Sequence, residues 1–189
     1  MSNKKYLVLA VGIALAAVVT TILVWPRPAE DLPGRELTRS ELELRDGRLF
    51  VPGEEEPFDG TLVEYFAGQT MKASIEIKDG NAHGVTRGWY ESGQVEVEEH
   101  FTEGVSHGLR TRWHANGQKR SEVEVVDGKL SGQYAEWYDN GTKAAQAYLV
   151  DGKADGLSEA WHRSGKLKSR VKLNHGEVVS REYFEEDPS

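Results

Sequence analysis

Apolar and polar residues alternate through most of this chain. Between Met71 and Ile77 every second side chain is apolar and the side chains between them are polar. Residues 95–101 repeat this alternation with one exception, Glu99, and residues 167–173 repeat it with Ser169. A period of two is typical of β-strands that have one apolar face and one wet face. The pattern therefore predicts strands, and no helices, through this part of the chain.

Turn residues interrupt the alternation at a fixed interval. Asn-Gly or Ser-Gly joins the strands within a pair, and Asp-Gly or Glu-Gly joins most successive pairs. These dipeptides favour tight turns because glycine and its partner accept positive φ. Three glycine series recur every 24 residues: Gly60, Gly84, Gly108, Gly132, Gly156; Gly80, Gly104, Gly128, Gly152, Gly176; and Gly93, Gly117, Gly141, Gly165. The chain is therefore a tandem repeat.

The repeat predicts an architecture, because a lone hairpin is marginal and each copy must cover its neighbour's flank. We expect an all-β fold, an elongated single-layer antiparallel meander of about five 24-residue β-hairpin repeats, preceded by one N-terminal transmembrane helix. A short helix is expected near Thr38 to Leu44. The predicted segments are a membrane anchor or signal peptide (1–25), a tether (26–41), an N-terminal capping hairpin that turns at Asp46-Gly47 (42–59), five repeats (60–179) and a C-terminal cap (180–189).

The N-terminal segment is uniformly apolar. Residues 6–25 carry no charge, and about 20 apolar residues suffice for a helix to cross a bilayer. Lys4 and Lys5 precede the segment, which keeps the N-terminus in the cytoplasm and places the repeats outside, in the periplasm or the extracellular space. The apolar run continues past the small residues at Ala14 and Ala16, so an uncleaved anchor is favoured over secretion after signal cleavage.

Composition narrows the function classes. The chain has no cysteine and a net charge of −8, which excludes disulfides and thiolate metal sites and argues against nucleic acid as a partner. No cofactor is expected.

Charge on the polar face is uneven, because Glu96, Glu98, Glu122 and Glu124 make the second and third copies acidic, whereas the last copy is basic. This asymmetry predicts a head-to-tail contact between copies of the chain.

Two aromatic columns follow the same 24-residue period. The first, the structural ladder, is expected on the apolar face; it comprises Tyr65, Trp89, Trp113, Trp137 and Trp161. The second, the aromatic stripe, is expected on the opposite face because side chains alternate along a strand; it comprises Phe66, Tyr90, His114, Tyr138 and His162. The stripe has two interpretations. It either binds an extended partner with rigid rings or stiffens the cross-strand pairing.

The residues that resemble catalytic and metal-binding motifs are explained by their positions in the repeat. Gly104 to Gly108 matches the nucleophile-elbow pattern, but both glycines belong to the repeat series, and no strand-to-helix turn is expected there. His83 and His107 share one position in successive repeats, so they lie two strands apart, about 9 to 10 Å. Zinc ligands lie about 2 Å from a common centre. The sequence predicts no catalytic residue, no metal site and no enzyme.

One copy carries a family resemblance. Between Gly108 and Gly128 it contains Trp113-His114, Asn116-Gly117-Gln118-Lys119 and an alternating strand that ends at Asp127-Gly128. This copy resembles the bacterial MORN-repeat variants, and the resemblance extends over residues 58–179. It implies an elongated single-layer β array, and some members of the family carry an antitoxin or immunity label. Three positions depart from the pattern: Gly68, Ser180 and Tyr183-Phe184.

These observations lead to two functional hypotheses. In the first, a non-enzymatic, membrane-anchored protein uses its exported β array to bind another protein, as an immunity or antitoxin-like factor would. In the second, the array is an envelope-associated structural module that binds cell-wall glycan through the aromatic stripe.

Overall fold

A computed structural model of the protein describes residues 34–185. The predicted transmembrane segment, residues 26–33 of the predicted tether and residues 186–189 lie outside the described residues. The strands are β1 (Arg35–Thr38), β2 (Glu43–Arg45), β3 (Arg48–Phe50), β4 (Gly60–Tyr65), β5 (Met71–Lys78), β6 (Asn81–Trp89), β7 (Val95–Thr102), β8 (Val105–Ser106), β9 (Gly108–Trp113), β10 (Lys119–Val126), β11 (Lys129–Trp137), β12 (Lys143–Val150), β13 (Lys153–Trp161), β14 (Leu167–Asn174) and β15 (Glu177–Tyr183).

The helical content of the described residues is a single 3-10 turn, Arg39–Glu41. No helix within residues 34–185 has the length and apolar character needed to cross a membrane.

Thirteen strands form one sheet, and this confirms the predicted all-β meander. From β4 onward the strands are ordered as in the sequence, with β8 paired to β7 beside the main path. Neighbouring strands from β4 to β15 are antiparallel. Five hairpins result: β4–β5, β6–β7, β9–β10, β11–β12 and β13–β14.

The turns form where the glycines predicted them. Asp79 and Gly80 both have positive φ, 51° and 73°, as a two-residue type I′ turn requires. Within hairpins, the Gly93 amide donates to the Tyr90 carbonyl at 2.8 Å. In the first hairpin the glycine comes one residue early, at Gly68, so Gln69 takes the left-handed conformation at φ 63°. A non-glycine residue there carries a cost of about 1–2 kcal/mol.

Each repeat also contains β-bulges, which the alternation did not predict. Val123 lies opposite Tyr134, but Glu124 lies opposite Ser131, so the register shifts near Gly132. Gly132 has φ 69°, the left-handed conformation that such bulges use. A second shift occurs between Gly88 and Trp89 and recurs in other copies. Because bulges break the alternation, face assignments cannot be carried through a whole repeat by counting residues.

The predicted capping hairpin is present as β2–β3, a separate two-stranded sheet. It packs over the first repeat hairpin, where the Leu49 amide donates to the Gly80 carbonyl at 2.9 Å. The buried residues of this core are Leu42, Phe58, Leu62 and Ile77. Because they close the apolar face at the first hairpin, the array has a well-packed N-terminal end.

Two segment boundaries differ from the prediction. Residues 35–41, expected in a tether, form β1 and the 3-10 turn, and Arg35 to Thr38 pair in parallel with Gly60 to Val63. Parallel pairing covers the otherwise free edge of β4. The expected helix near Thr38 to Leu44 is limited to Arg39–Glu41. At the other end, β15 crosses the predicted boundary between residues 179 and 180.

Candidate functional site

The residues of the structural ladder, which were expected to pack on the apolar face, are not among the buried core residues of the described chain. Its four tryptophans are only half-buried, and Tyr65 is 45% exposed. Each column member follows a register shift or lies beside one. The amines of Lys119 and Lys143 lie 5.6 Å and 5.7 Å from the ring centroids of Trp137 and Trp161. The ladder therefore forms cation–π contacts between neighbouring repeats.

The aromatic stripe lies just past the strand ends, because β6 and its equivalents stop at the ladder tryptophan. Its polar atoms bind the next repeat. Tyr90 Oη donates to the Trp113 carbonyl at 2.9 Å, and Tyr138 Oη donates to the Trp161 carbonyl at 2.9 Å. His114 Nε2 makes the equivalent bond to the Trp137 carbonyl at 2.8 Å. These bonds support the interpretation that the stripe stiffens the array.

A Tyr90→Phe, Tyr138→Phe double variant tests the role of the stripe. Each change removes one hydrogen bond between repeats, so each should lower the free energy of unfolding by about 0.5–1.5 kcal/mol. Urea titration is the measurement. Tyr148→Phe is the control, because the Tyr148 hydroxyl forms no hydrogen bond within residues 34–185. Equal destabilisation by the control would contradict the assignment.

The registers identify another row of side chains on the polar face. Residues that lie directly opposite each other in neighbouring strands share a face. Val85 lies opposite His100, Leu109 opposite Glu124, Gln133 opposite Tyr148, and Leu157 opposite Lys172. We call this set the outer row: Val85, His100, Leu109, Glu124, Gln133, Tyr148, Leu157 and Lys172.

Large apolar side chains are exposed at the centre of the outer row. The exposed fractions are 49% for Leu109, 52% for Tyr148 and 50% for Leu157. Leu109, Glu124, Gln133 and Tyr148 help line a shallow depression of ≈ 470 Å³. A second depression of ≈ 240 Å³ shares Gln133 and Tyr148 and reaches Leu157. Because the two depressions share Gln133 and Tyr148, we refer to them together as the groove.

Charged groups border this groove unequally. Glu124 is exposed and makes no ion pair within the described part of the chain. Its side chain lies over Gly132, where an added Cβ would be 2.8 Å from Glu124 Oε2. Glycine at that position therefore leaves room for the carboxylate at the groove. Lys143 lines the other depression, and its amine lies 2.9 Å from Gln146 Oε1.

The adjacent row on the same face is already paired. Arg87 Nε lies 2.7 Å from Glu98 Oε2. Glu159 accepts from Gln146 at 2.9 Å and from Arg170 at 2.9 Å. These polar groups satisfy one another, whereas the outer row has exposed apolar surface and the unpaired carboxylate of Glu124.

The opposite, apolar face contains a polar cluster that could suggest catalysis. Ser106 Oγ and Arg110 both donate to Glu99. This places Ser106, the central residue of the nucleophile-elbow pattern, beside a carboxylate that is committed to an arginine. Burial and the neighbouring Glu136 raise the pKa of Tyr134 to about 12, so at neutral pH its phenol is a hydrogen-bond donor and not a base.

The two histidines considered as metal ligands, His83 and His107, lie in different elements of the fold. Within residues 34–185, no group of three or more His, Asp or Glu side chains is arranged to hold a metal ion. His83 lies in β6, and His107 lies between β8 and β9, where its Nδ1 is 3.8 Å from Asp127 Oδ1.

Comparison with known proteins supports the repeat type. The family model described as the MORN repeat variant matches residues 82–103 and 106–127. These two segments match MORN repeats. They contain most of β6 to β10, the part of the array that carries Leu109 and Glu124. Among curated proteins, none matches the chain.

A solved structure gives a partial likeness. It is titled "Crystal structure of accessory secretory protein 1,2 and 3 in Streptococcus pneumoniae", and it is 14% identical to this chain, with a TM-score of 0.21. The likeness covers 84% of this chain and 23% of that one. The present chain therefore spans about a quarter of the length of the chain that it resembles.

The sequence contained a signal for the outer row that the aromatic columns obscured. Tyr148 occupies the position that His100 and Lys172 hold in other repeats, so an aromatic ring stands where the pattern is otherwise polar. Leu109 and Leu157 share another position 48 residues apart, four residues before a ladder tryptophan. Their exposure and mutual alignment depend on the bulges, which only the structure defines.

Proposed function

We propose that the array is a non-enzymatic binding module, held at a membrane by its N-terminal segment, and that the outer row binds another protein. The observation that carries this proposal is the exposure of Leu109, Tyr148 and Leu157 together on a face that is mostly charged or polar. Exposed apolar side chains that are surrounded by polar groups are typical of recognition surfaces.

The groove defines the chemistry of the partner. Leu109 and Leu157 lie on β9 and β13, four strand spacings apart, or roughly 19 Å. An extended segment of about six residues spans that length. Its apolar side chains would pack on Leu109, Tyr148 and Leu157, and a Lys or Arg side chain would pair with Glu124.

The paired aromatic stripe favours protein over glycan as the ligand. Binding of a sugar through the stripe would need free ring faces and free polar atoms, but Tyr90 and Tyr138 bind backbone carbonyls, and the Arg163 guanidinium lies 5.4 Å from the Tyr138 ring centroid. Neutralisation of a toxin outside the cytoplasm is one form that the proposed protein binding would take.

Co-purification of partners with the full-length chain from its own cells tests the proposal. A Tyr148→Ser, Leu157→Ser variant should lose at least about tenfold of the captured partner, because each truncation at a central contact costs about 1–2 kcal/mol. The matched control is Leu44→Ser, Tyr65→Ser, which removes side chains that are 60% and 45% exposed but lie away from the outer row.

Three outcomes contradict the proposal. Equal loss in both variants would mean that general surface changes, and not the outer row, control binding. Full retention in both would place the contact elsewhere. Recovery of wall fragments without a protein, independent of both variants, would favour the envelope-associated glycan-binding alternative.

A further inference from the structure

The two ends of the sheet differ in whether their last strand is covered. At the N-terminal end, β1 and the β2–β3 hairpin cover the first repeat. At the other end, β15 pairs with β14 on one side, and no strand within residues 34–185 pairs with its other side. All seven residues of β15 are exposed. An uncovered edge strand of this length is a template for pairing with another chain.

The backbone orientation along this edge follows from one hydrogen bond. The Phe184 amide donates to the Lys168 carbonyl at 2.9 Å, so the backbone amide of Phe184 points toward the β14 side. Inward and outward pairs alternate in an antiparallel ladder. Glu182 and Ser180 therefore also direct their amides toward β14, and Arg181 and Tyr183 direct theirs toward the free edge.

Side chains on the edge offer apolar contact. Val178, Val179 and Tyr183 are 48%, 61% and 69% exposed. Val178 lies opposite Leu173, and Arg181 lies opposite Val171 on β14. An added strand would thus find apolar groups beside a guanidinium along the edge.

Charge indicates the kind of strand that fits. Residues 166–183 contain five basic residues, Lys166, Lys168, Arg170, Lys172 and Arg181, against two carboxylates, Glu177 and Glu182, in a chain of net charge −8. Arg170 is paired with Glu159 and Glu182, but Lys166, Lys168 and Lys172 have no ion-pair partner in the described structure. The terminal hairpin is therefore a local basic region on an acidic protein.

We propose that the free edge of β15 binds an extended, acidic segment of a partner protein by antiparallel strand addition. The backbone groups of Arg181 and Tyr183 supply the hydrogen bonds. Val178, Val179 and Tyr183 supply the apolar contact, and the unpaired lysines of β14 attract the carboxylates of the partner. This surface shares only Lys172 with the outer row, and its strand-pairing edge on β15 would function whether or not the outer row binds a ligand.

Amide hydrogen exchange on the full-length protein tests the proposal directly. The probe is a seven-residue, end-blocked peptide of alternating valine and glutamate, and the control peptide replaces glutamate with lysine. The valine–glutamate peptide should slow exchange at Arg181 and Tyr183 by about tenfold, whereas the amides of Ser180 and Glu182 are already bonded to β14. The lysine peptide should leave exchange at all four amides unchanged.

Two variants at one position separate backbone pairing from charge. Arg181→Pro removes an outward amide that β14 does not use, and proline is tolerated on edge strands for this reason. Arg181→Ala removes the charge and keeps the amide. Peptide binding should fall modestly in the alanine variant and be lost in the proline variant, while circular dichroism reports the same strand content in both.

Four results would overturn the proposal. The first two are an unchanged exchange rate at Arg181 and Tyr183 when the glutamate peptide is added, and equal protection of these amides by the lysine peptide. The third is peptide binding by Arg181→Pro that equals binding by the unchanged protein. The fourth is protection that rises with protein concentration when no peptide is present. The last result would show that a second copy of the chain occupies this edge.

Discussion

Replacement of Gly80 by alanine is expected to destabilise the protein far more than the same replacement at Gly152. The two glycines occupy equivalent turns, and their φ angles of 73° and 79° are nearly the same. Their surroundings differ. A Cβ on Gly80 would lie 2.8 Å from Arg48 Cβ and 2.9 Å from the Leu49 amide nitrogen, whereas a Cβ on Gly152 would meet nothing within 4 Å.

The destabilisation that both variants have in common can therefore be separated from the part that belongs to Gly80→Ala alone. Left-handed strain costs each variant about 1–2 kcal/mol. The clash with the capping hairpin adds about 1–3 kcal/mol in Gly80→Ala alone, because the obstructing atoms are mostly backbone. Urea unfolding of both variants measures the difference in the free energy of unfolding. Indistinguishable values would show that β2–β3 is not held against the sheet as described.

Truncation of Phe58 should produce the largest loss among side chains of the cap. Phe58 is 2% exposed and packs with Leu42, Leu62 and Ile77. Deletion of a buried phenylalanine ring costs about 3–5 kcal/mol, because both the burial of the ring and the close packing around it are lost. Thermal and urea unfolding of Phe58→Ala measure this loss.

The matched control is Phe184→Ala, which removes the same ring where it is 38% exposed and should cost far less. Because repeats contact only their neighbours, loss of the cap should first loosen β4 to β6. Hydrogen exchange should then rise in β4 and β5 before it rises in β12 and β13. A uniform rise along the sheet would contradict nearest-neighbour stabilisation by the cap.

The local part of the fold was predictable from the sequence. Asp79-Gly80 and its equivalents specify positive φ at both turn positions, and the alternation between turns specifies strands. β1 was not predictable in this way. Its residues pair with a strand 25 positions later in the chain, and four residues that include Arg35 and Glu36 carry little alternation.

The site was less predictable, because it depends on where alternation stops. Counting from Trp89 to Tyr90 placed the two rings on opposite faces, but the strand ends at Trp89 and Tyr90 turns toward the next repeat. The outer row depends on the same geometry. Leu109 lies opposite Glu124 on the polar face because the register shifts between Arg112 and Trp113.

The most direct test of the outer row as the binding surface is site-specific photo-crosslinking in living cells. A photoreactive phenylalanine analogue at position 148 of the full-length protein, compared with one at position 44, distinguishes the groove from the exposed surface of the capping hairpin. The proposed function predicts one protein adduct from position 148 and none from position 44. The same adducts from both positions, or none from position 148, would contradict it.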